Sequence, residues 1–377
     1  MSLFIQDPSD TSSEYLVDKL LEACDGAVSG GGAFAFLSAG GVQLLLRDVS
    51  FVKFAKQGHF DLVFGADAIT DTAAVAALNA ARAISPNIDA RVHLPAHSRS
   101  IFHPKFAWFR KPGGGVLITG SGNLTAGGLR WNIEAFHVTE LDDAGMDQVA
   151  LQWREYKLRC AGNLLNTDDP RVTALLARNA ERRRRMRERG QDDEAETEEV
   201  EAADPEAGAA EAEPVDVDAV PVALDASEVL VAEIPKSGDR WKQVNFDIGT
   251  FINFFGASKT VARNAYFFHV QADGTVAHQE VRPAVTVASQ NYRFELDAAS
   301  GKKYPNVGRP IGVFVRVAAR TFTYMLLMPD DPAHQQILLL ISNINPHPGK
   351  KMRRIIFPAA EVRKVWPASP LWNQLIL

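Results

Sequence analysis

One acidic segment divides the chain into two regions with different patterns. Residues 191–228 hold fifteen Asp or Glu and no Lys or Arg. As far as residue 225 the segment also has no aromatic residue, and such a composition buries too little apolar surface to offset the entropy of ordering the chain. We therefore predict an acidic flexible linker over 191–225, with a separately folded region on each side.

The flanking regions are each long enough to bury a core of their own. The chain has 377 residues, of which 46% are apolar and 23% charged, as in ordinary globular proteins. The net charge of −6 hides a segregation of charge, because residues 232–377 hold eighteen Lys or Arg and ten Asp or Glu. A region with this excess of positive charge suits a polyanionic partner.

Neither a secretory signal nor a membrane span is predicted. The amino-terminal stretch MSLFIQDPSDTSSEY lacks a basic segment followed by an apolar one. No uncharged apolar run approaches the roughly 18 residues that a spanning helix needs. Cys24 and Cys160 are too few for a disulfide framework. We expect a cytoplasmic protein with no membrane partner.

The region before the linker alternates extended and helical patterns. Runs at 33–41 and 61–67 are typical of strands, and the run between them, 42–57, is typical of a helix. Strands that alternate with helices predict an α/β domain over 1–170, with a central mixed sheet flanked by helices.

Two further helices have recognisable ends. The Ala-rich run 70–84 is predicted to be a helix with Asp71 or Thr72 as its N-cap. Residues 171–190 are predicted to form a helix that ends in a run of arginines and stops at Gly190. Those arginines belong either to a solvated helix end or to a DNA contact.

The region after the linker, 226–377, has a different sequence pattern. Short aromatic and β-branched runs, among them NAYFFHV, IGVFVRVAA and QILLLIS, alternate with Gly, Pro, Asn and Asp turns. This spacing predicts an all-β barrel or sandwich.

The residues with the clearest chemistry lie between 103 and 136. His103 and Lys105 are two apart on a predicted strand, so their side chains leave the same face of the sheet. Ser121 and Asn123 follow in a Gly-rich turn, where small residues let backbone amides approach an anion. Glu134 begins a further predicted strand, which would return a carboxylate to the histidine.

This set suits phosphodiester cleavage. A neutral imidazole on His103 can attack phosphorus and form a phosphohistidine. Lys105 and Asn123 can hold the phosphoryl oxygens, and Glu134 can accept the other ring N–H and fix the tautomer. A second histidine must protonate the leaving oxygen and later activate water.

The chain offers a single copy of this pattern. No histidine other than His103 is followed two residues later by lysine. We therefore expect the second histidine to come from another subunit, which makes a homodimer with one composite site on its two-fold axis.

HPK followed by GSGN resembles the HxK…GSxN signature of the phospholipase D superfamily. The spacing is most similar to that of its restriction-endonuclease branch, the BfiI/NgoFVII type. Many members carry Asp five residues after the lysine, where this chain has Arg110. The resemblance implies a homodimeric nuclease that hydrolyses double-stranded DNA through a covalent phosphohistidine without metal or other cofactor.

In that branch a DNA-binding pseudobarrel similar to the plant B-three domain follows the catalytic domain, and residues 226–377 resemble it in order, length and charge. The resemblance implies two arms that grip the major groove, with Arg, Asn and Gln on base edges and Lys on phosphates. The candidate DNA-binding residues are Lys236, Arg240, Lys242, Gln243, Asn245, Asn291 and Arg293.

Several alternatives stay open. The chain could be the nuclease subunit of a restriction or defence complex with a separate NTP-driven helicase, because it has no Walker motif of its own. A lipid phosphodiesterase and a non-enzymatic DNA-binding regulator are further readings. A zinc site at His93, His97 and His103 is disfavoured, since no Cys or carboxylate completes it. The acidic linker is a spacer or, as a hypothesis, a DNA mimic that covers a basic cleft.

Overall fold

The structure is a computed structural model in which the chain forms two units, residues 1–223 and 224–377. It describes residues 1–10, 13–67, 69–96, 100–188, 227–236, 241–257, 263–284, 292–346 and 352–373. The predicted linker, 191–225, and the predicted stop at Gly190 lie outside these residues. Within the described ranges, no helix combines the length and the apolarity needed to cross a bilayer.

A mixed eight-stranded sheet forms the centre of the first unit. In chain order its strands are β1 (Ser2–Gln6), β2 (Ser29–Phe34), β3 (His59–Gly65), β4 (Ile88–His93), β5 (Lys105–Lys111), β6 (Gly114–Gly120), β7 (Glu134–Leu141) and β8 (Leu164–Leu165). Their order across the sheet is β1-β7-β6-β5-β2-β3-β4-β8. β2, β3 and β4 run parallel, and the other neighbours pair antiparallel. The predicted mixed sheet is confirmed.

Helices pack against this sheet. They are α1 (Leu16–Cys24), α2 (Ala39–Leu46), α3 (Val49–Gln57), α4 (Thr72–Ile84), α5 (Asp143–Arg159) and α6 (Pro170–Glu188), with a π-helical turn at Gly127–Trp131 and a 3-10 turn at Ala161–Asn163. α5 buries Met146 and Trp153 in a cluster with Trp108 of β5. α6 packs against α4.

Capping side chains set the helix boundaries and correct two predictions. The helix expected over 42–57 is two helices, because the buried Asp48 accepts a hydrogen bond from Ser50 N (3.0 Å) and begins α3. The strand expected over 33–41 ends at Phe34, since Ser38 caps α2 by accepting from Gly41 N (3.1 Å). The predicted cap of α4 is confirmed at Asp71, which accepts from Ala74 N (2.9 Å).

The second unit contains both strands and helices. Its strands are β9 (Glu228–Glu233), β10 (Gln243–Phe246), β11 (Arg263–His269), β12 (Glu280–Ala284), β13 (Tyr292–Glu295), β14 (Ile311–Ala318), β15 (Thr321–Leu327) and β16 (Arg354–Pro358). Its helical elements are α7 (His334–Ile344), α8 (Ala359–Val365), a π-helical turn at Thr250–Phe254 and 3-10 turns at Asp297–Ala299 and Pro370–Asn373. Six strands form a sheet in the order β12-β11-β15-β14-β9-β16, and β10 and β13 form a two-stranded sheet.

Both faces of the six-stranded sheet are buried. Along β9, Leu230 and Ala232 belong to one apolar cluster, and Val229 and Val231 belong to another. Successive side chains of a strand point to opposite faces, so the two clusters lie on the two sides of the sheet. The first cluster is rich in phenylalanine, and the second includes residues of α7 and α8.

The expectation of an all-β second unit is wrong. The run QILLLIS, predicted to be a strand, lies in α7 and buries Ile337 and Ile341, which are one helical turn apart. A short apolar run has no period that separates a buried strand from a buried helix, and this one is helical because it covers a sheet face. No closed barrel is present among the described residues of this unit.

Candidate active site

The predicted catalytic residues meet at one edge of the first unit's sheet. Lys105 is the first residue of β5 and pairs with Phe34, the last residue of β2. Gly120 ends β6, and Glu134 begins β7 beside it. The carboxyl ends of the parallel strands β2, β3 and β4 share this edge. Strand polarity therefore brings together residues that are distant in the chain.

His103 and Lys105 are in direct contact. Lys105 Nζ lies 2.8 Å from Nε2 and 3.1 Å from Nδ1 of His103. An ammonium group only donates, so the ring nitrogen that it contacts acts as the acceptor. His103 itself precedes β5 rather than belonging to it, and its exposed ring meets the edge of the Phe36 ring at a centroid distance of 6.1 Å.

Asn123 is buried and oriented by the backbone. Its Oδ1 accepts a hydrogen bond from Phe36 N (3.1 Å). A bridge between Leu37 and Leu124 holds the same two segments together. The close approach requires glycine at position 128, because a Cβ there would collide with the backbone nitrogen of Asn123.

Glu134 contacts Ser121 and Asn132. Ser121 Oγ donates to Glu134 Oε2 and accepts from Ala135 N (3.0 Å), and Asn132 Nδ2 donates to Glu134 Oε1 (3.3 Å). Among the described contacts of this carboxylate, the expected one with the His103 ring is missing. The turn between β6 and β7 is closed by its own side chains, which places Ser121 and Glu134 against each other.

Sequence reasoning missed three residues that hold the site together. The fully buried Gln6 accepts from Leu16 N (2.9 Å) and donates to Asn132 O (2.9 Å), so it ties the end of β1 to the turn before β7. Asn132 completes that turn through Glu134. Thr70 Oγ1 accepts from Leu37 N (3.0 Å) and donates to Gly65 O (2.9 Å). The alternation in SLFIQ was the available signal for β1.

His93 lies at the same edge, at the end of β4, and packs on the segment that leads to His103. Its ring stacks on Phe102 at a centroid distance of 4.6 Å. Burial lowers the pKa of His93, and a backbone hydrogen bond opposes that shift. In the described part of the chain no three His, Cys, Asp or Glu residues form a group that could hold a metal ion. His97, the third member of the disfavoured zinc set, lies outside the described residues.

Arg110, which replaces the aspartate of many phospholipase D-like sequences, lies at the far end of β5. It pairs with Ser29 and Gly115 in the sheet, and its Nη2 donates to Asp143 O (3.2 Å) and to the carboxylate of Asp147. Position 110 is thus almost a full strand length from Lys105 and lies away from the candidate active site.

Three DNA-binding candidates of the second unit, Lys242, Gln243 and Arg293, lie close together at the β10–β13 ribbon. Arg293 Nη1 donates to Gln243 Oε1 (3.1 Å), and Gln243 Nε2 donates to Glu295 Oε1 (3.0 Å). Lys242 Nζ is 3.9 Å from the same oxygen of Glu295. The hydrogen bond from Gln243 lowers the pKa of Glu295, and three nearby cations add to this.

The other candidates are less fully described. Asn245 pairs with Arg293 across the ribbon, but its side chain lies outside the described residues. Lys236 lies apart from the ribbon, with its Nζ 6.0 Å from the centre of the Tyr304 ring. Arg240 and Asn291 are outside the described residues.

Among known proteins, similarity to this chain is found in solved structures. No family model matches the chain, and no curated protein matches it. NucT from Helicobacter pylori is similar over 44% of this chain and 97% of its own, with 15% identity and a TM-score of 0.31. A phospholipase D family member, Nuc from Salmonella typhimurium, is similar over 43% and 95%, with 20% identity and a TM-score of 0.32.

Proposed function

We propose that the chain is a phosphodiesterase that cleaves double-stranded DNA, as a restriction-type endonuclease working through a covalent phosphohistidine. One observation carries the proposal, namely the meeting of His103, Lys105, Asn123, Ser121 and Glu134 at a single sheet edge. These are the residue types that phosphoryl transfer needs: a nucleophile, charge stabilisation and positioning groups.

In the first step a ring nitrogen of His103 attacks phosphorus, and the bond from phosphorus to the leaving oxygen breaks. Lys105 contacts that ring, and phosphoryl oxygens would draw its ammonium group from the imidazole to the substrate. The lone pair of the ring nitrogen is then available for attack. Lys105 and the Asn123 amide stabilise the charge that grows on the phosphoryl oxygens.

In the second step water attacks the phosphohistidine and restores the imidazole. The leaving oxygen must gain a proton in the first step, and the water must lose one in the second. We assign both transfers to His103 of a second copy of the chain, because the sequence provides the HxK pattern once. A two-fold axis through the site would place this second histidine beside the first, and the active form is then a homodimer.

Glu134 has a positioning role in this scheme. Its carboxylate holds the Ser121 hydroxyl and the Asn132 amide, and these fix the turn between β6 and β7. That turn carries Asn123 into the site. The phosphoryl oxygens are therefore met by donors whose orientation is set before substrate arrives, which is the condition for electrostatic stabilisation of a transition state.

Recognition of DNA is assigned to the second unit. The β10–β13 ribbon supports this, because Arg293 is hydrogen-bonded to Gln243, and Gln243 and Lys242 lie against the same carboxylate oxygen of Glu295. A two-stranded ribbon fits the major groove, where Arg reads guanine and Gln reads adenine. Asn245, Lys236, Arg240 and Asn291 remain candidates for further contacts.

The test is incubation of the purified full chain with plasmid and genomic DNA in EDTA, followed by sequencing of the ends. We expect cleavage by the wild-type chain and none by His103→Ala, which keeps its affinity for DNA. A strict requirement for Mg²⁺ would refute the metal-independent mechanism. Cleavage that appears only with an added NTP-driven partner would support the subunit alternative, and hydrolysis of phospholipid vesicles instead of DNA would support the lipid alternative.

A further inference from the structure

The arginine-rich helix α6 is fixed to the catalytic edge of the sheet. Its buried Asn179 donates from Nδ2 to Thr70 O (2.7 Å) and to Ala66 O (2.8 Å), just beyond the end of β3. Arg183 Nη1 donates to Asp71 Oδ2 (2.9 Å) and to Ile69 O (3.3 Å). One face of the helix is therefore hydrogen-bonded to the loop that follows β3.

Hydrogen bonds connect that loop to the segment that orients Asn123. Thr70, which Asn179 holds through its carbonyl, also accepts a hydrogen bond from Leu37 N through its hydroxyl (3.0 Å). The adjacent Phe36 donates its backbone N–H to Asn123. Three hydrogen bonds and the peptide bond between Phe36 and Leu37 thus link α6 to Asn123.

Three arginines of α6 pair with acidic side chains. Arg171 pairs with Asp169 (3.0 Å), Arg183 pairs with Asp71 (2.9 Å) and Arg185 pairs with Glu181. In the described part of the chain, the exposed side chains of Arg178 and Arg182 have no such partner. They are four residues apart, so they lie on one side of the helix, about 100° around its axis from the anchoring residues Asn179 and Arg183.

We infer that Arg178 and Arg182 form a phosphate-binding stripe that holds the nucleic-acid strand next to the scissile phosphate. The inference rests on the proposed function and adds a substrate surface to it. Two positions four apart on a helix rise by about 6 Å, and the charges of one DNA strand follow each other about every 3.4 Å of duplex axis, so the two guanidinium groups can reach different phosphates of the same strand. Guanidinium groups bind phosphate oxygens through two parallel hydrogen bonds and are weakly hydrated, so they suit this contact better than ammonium groups.

Loss of the stripe should change how the DNA-binding constant depends on salt concentration. Each phosphate contact releases counterions, and the logarithm of the binding constant falls with the logarithm of salt concentration by about 0.9 per contact on duplex DNA and about 0.7 on a single strand. Loss of both arginines should therefore flatten the slope by about 1.8 on a duplex and about 1.4 on a single strand. The two substrates distinguish a stripe that follows a duplex from one that follows an unpaired strand.

The experiment compares Arg178→Ala/Arg182→Ala with Lys53→Ala/Lys56→Ala in the full chain. The control removes the same charge from exposed side chains of α3, which ends at the opposite edge of the sheet. Binding of a labelled duplex and a labelled single strand is measured by anisotropy with His103→Ala present, so that nothing is cut. In the active background we expect KM to rise about tenfold at physiological salt, with kcat within about twofold.

Arg178→Lys/Arg182→Lys should restore most of the salt slope, which a merely structural role would not predict. An unchanged slope and KM in the alanine variant would overturn the stripe, as would equal changes in the α3 control. A flatter slope in a chain that never cuts DNA would support the stripe and defeat the proposed function, so the two failures are distinguishable.

Discussion

Lys105 places its ammonium nitrogen 2.8 Å from Nε2 of His103, at the first residue of a central strand. The lysine is held by the sheet, and the histidine lies just outside it in an exposed segment. In the proposed mechanism this contact is exchanged for one with the substrate phosphate, so the lysine should matter more to catalysis than to folding.

Lys105→Met tests this exchange. Removal of a fixed cation from the phosphoryl oxygens should lower kcat by about 10²–10³-fold, the usual scale for one preorganised stabilising group. Single-turnover cleavage of a labelled duplex measures the effect. Lys111→Met is the matched control, since Lys111 is at the other end of β5, where its Nζ donates to Glu22 O (3.1 Å). A loss of similar size in both variants would contradict the assigned role.

A mixing experiment tests the composite site. Wild-type chain and His103→Ala are mixed in equal amounts and left to exchange subunits. If each site needs two histidines, hybrid dimers are inactive, and total activity should fall to about a quarter of that of an all-wild-type sample at the same total concentration. Activity of about one half would indicate that each chain works with its own histidine alone.

Gln6 should matter for stability, because it is fully buried and bridges β1 to the turn before Glu134. Gln6→Leu keeps a similar volume but leaves Leu16 N–H and Asn132 C=O without their partner. Such buried unsatisfied groups cost about 1–3 kcal/mol. Urea unfolding of the full chain measures the free energy of unfolding of the first unit. Gln148→Leu, on the exposed surface of α5, is the control and should change that free energy by less than about 0.5 kcal/mol.

His93 should make the first unit sensitive to acid. Burial lowers the pKa of His93 in the folded state below the unfolded value of about 6.5. Between the folded and unfolded pKa values the unfolded state binds more protons than the folded state. The free energy of unfolding therefore falls as the pH drops below about 6.5. His93→Phe retains a ring that can stack on Phe102 and removes the titration. It should flatten the acid side of the stability curve, and an unchanged curve would contradict this account.

The first unit was predictable where local chemistry decides the structure. The cap of α4 was predictable, because an Asp before an Ala-rich helical run can accept a hydrogen bond from a free backbone N–H of the first turn, as Asp71 does. The positions of His103, Lys105, Asn123 and Glu134 near the ends of consecutive predicted strands also indicated that they lie near one another. Antiparallel pairing of β5, β6 and β7 places the start of β5, the end of β6 and the start of β7 at the same edge. β1 was missed because its five residues are held by pairing with β7, which is 130 residues away in the chain.

Tertiary partners decided what the sequence left ambiguous. α7 is helical because its apolar side chains cover a sheet face, and the short apolar run QILLLIS does not by itself indicate this. Glu134 was expected to hold His103, but a serine two residues before Asn123 takes its carboxylate instead. That competition between two hydrogen-bond donors depends on the path of the turn, which the residue types alone do not specify.

The most direct test of the central claim is to trap the covalent intermediate. The full chain is mixed with internally ³²P-labelled DNA in EDTA and stopped in alkali, because a phosphorus–nitrogen bond survives base and is cleaved by acid. Peptide mapping should place the label on His103, and His103→Ala should carry none. DNA cleavage without labelled His103, or label on another residue, would contradict the account.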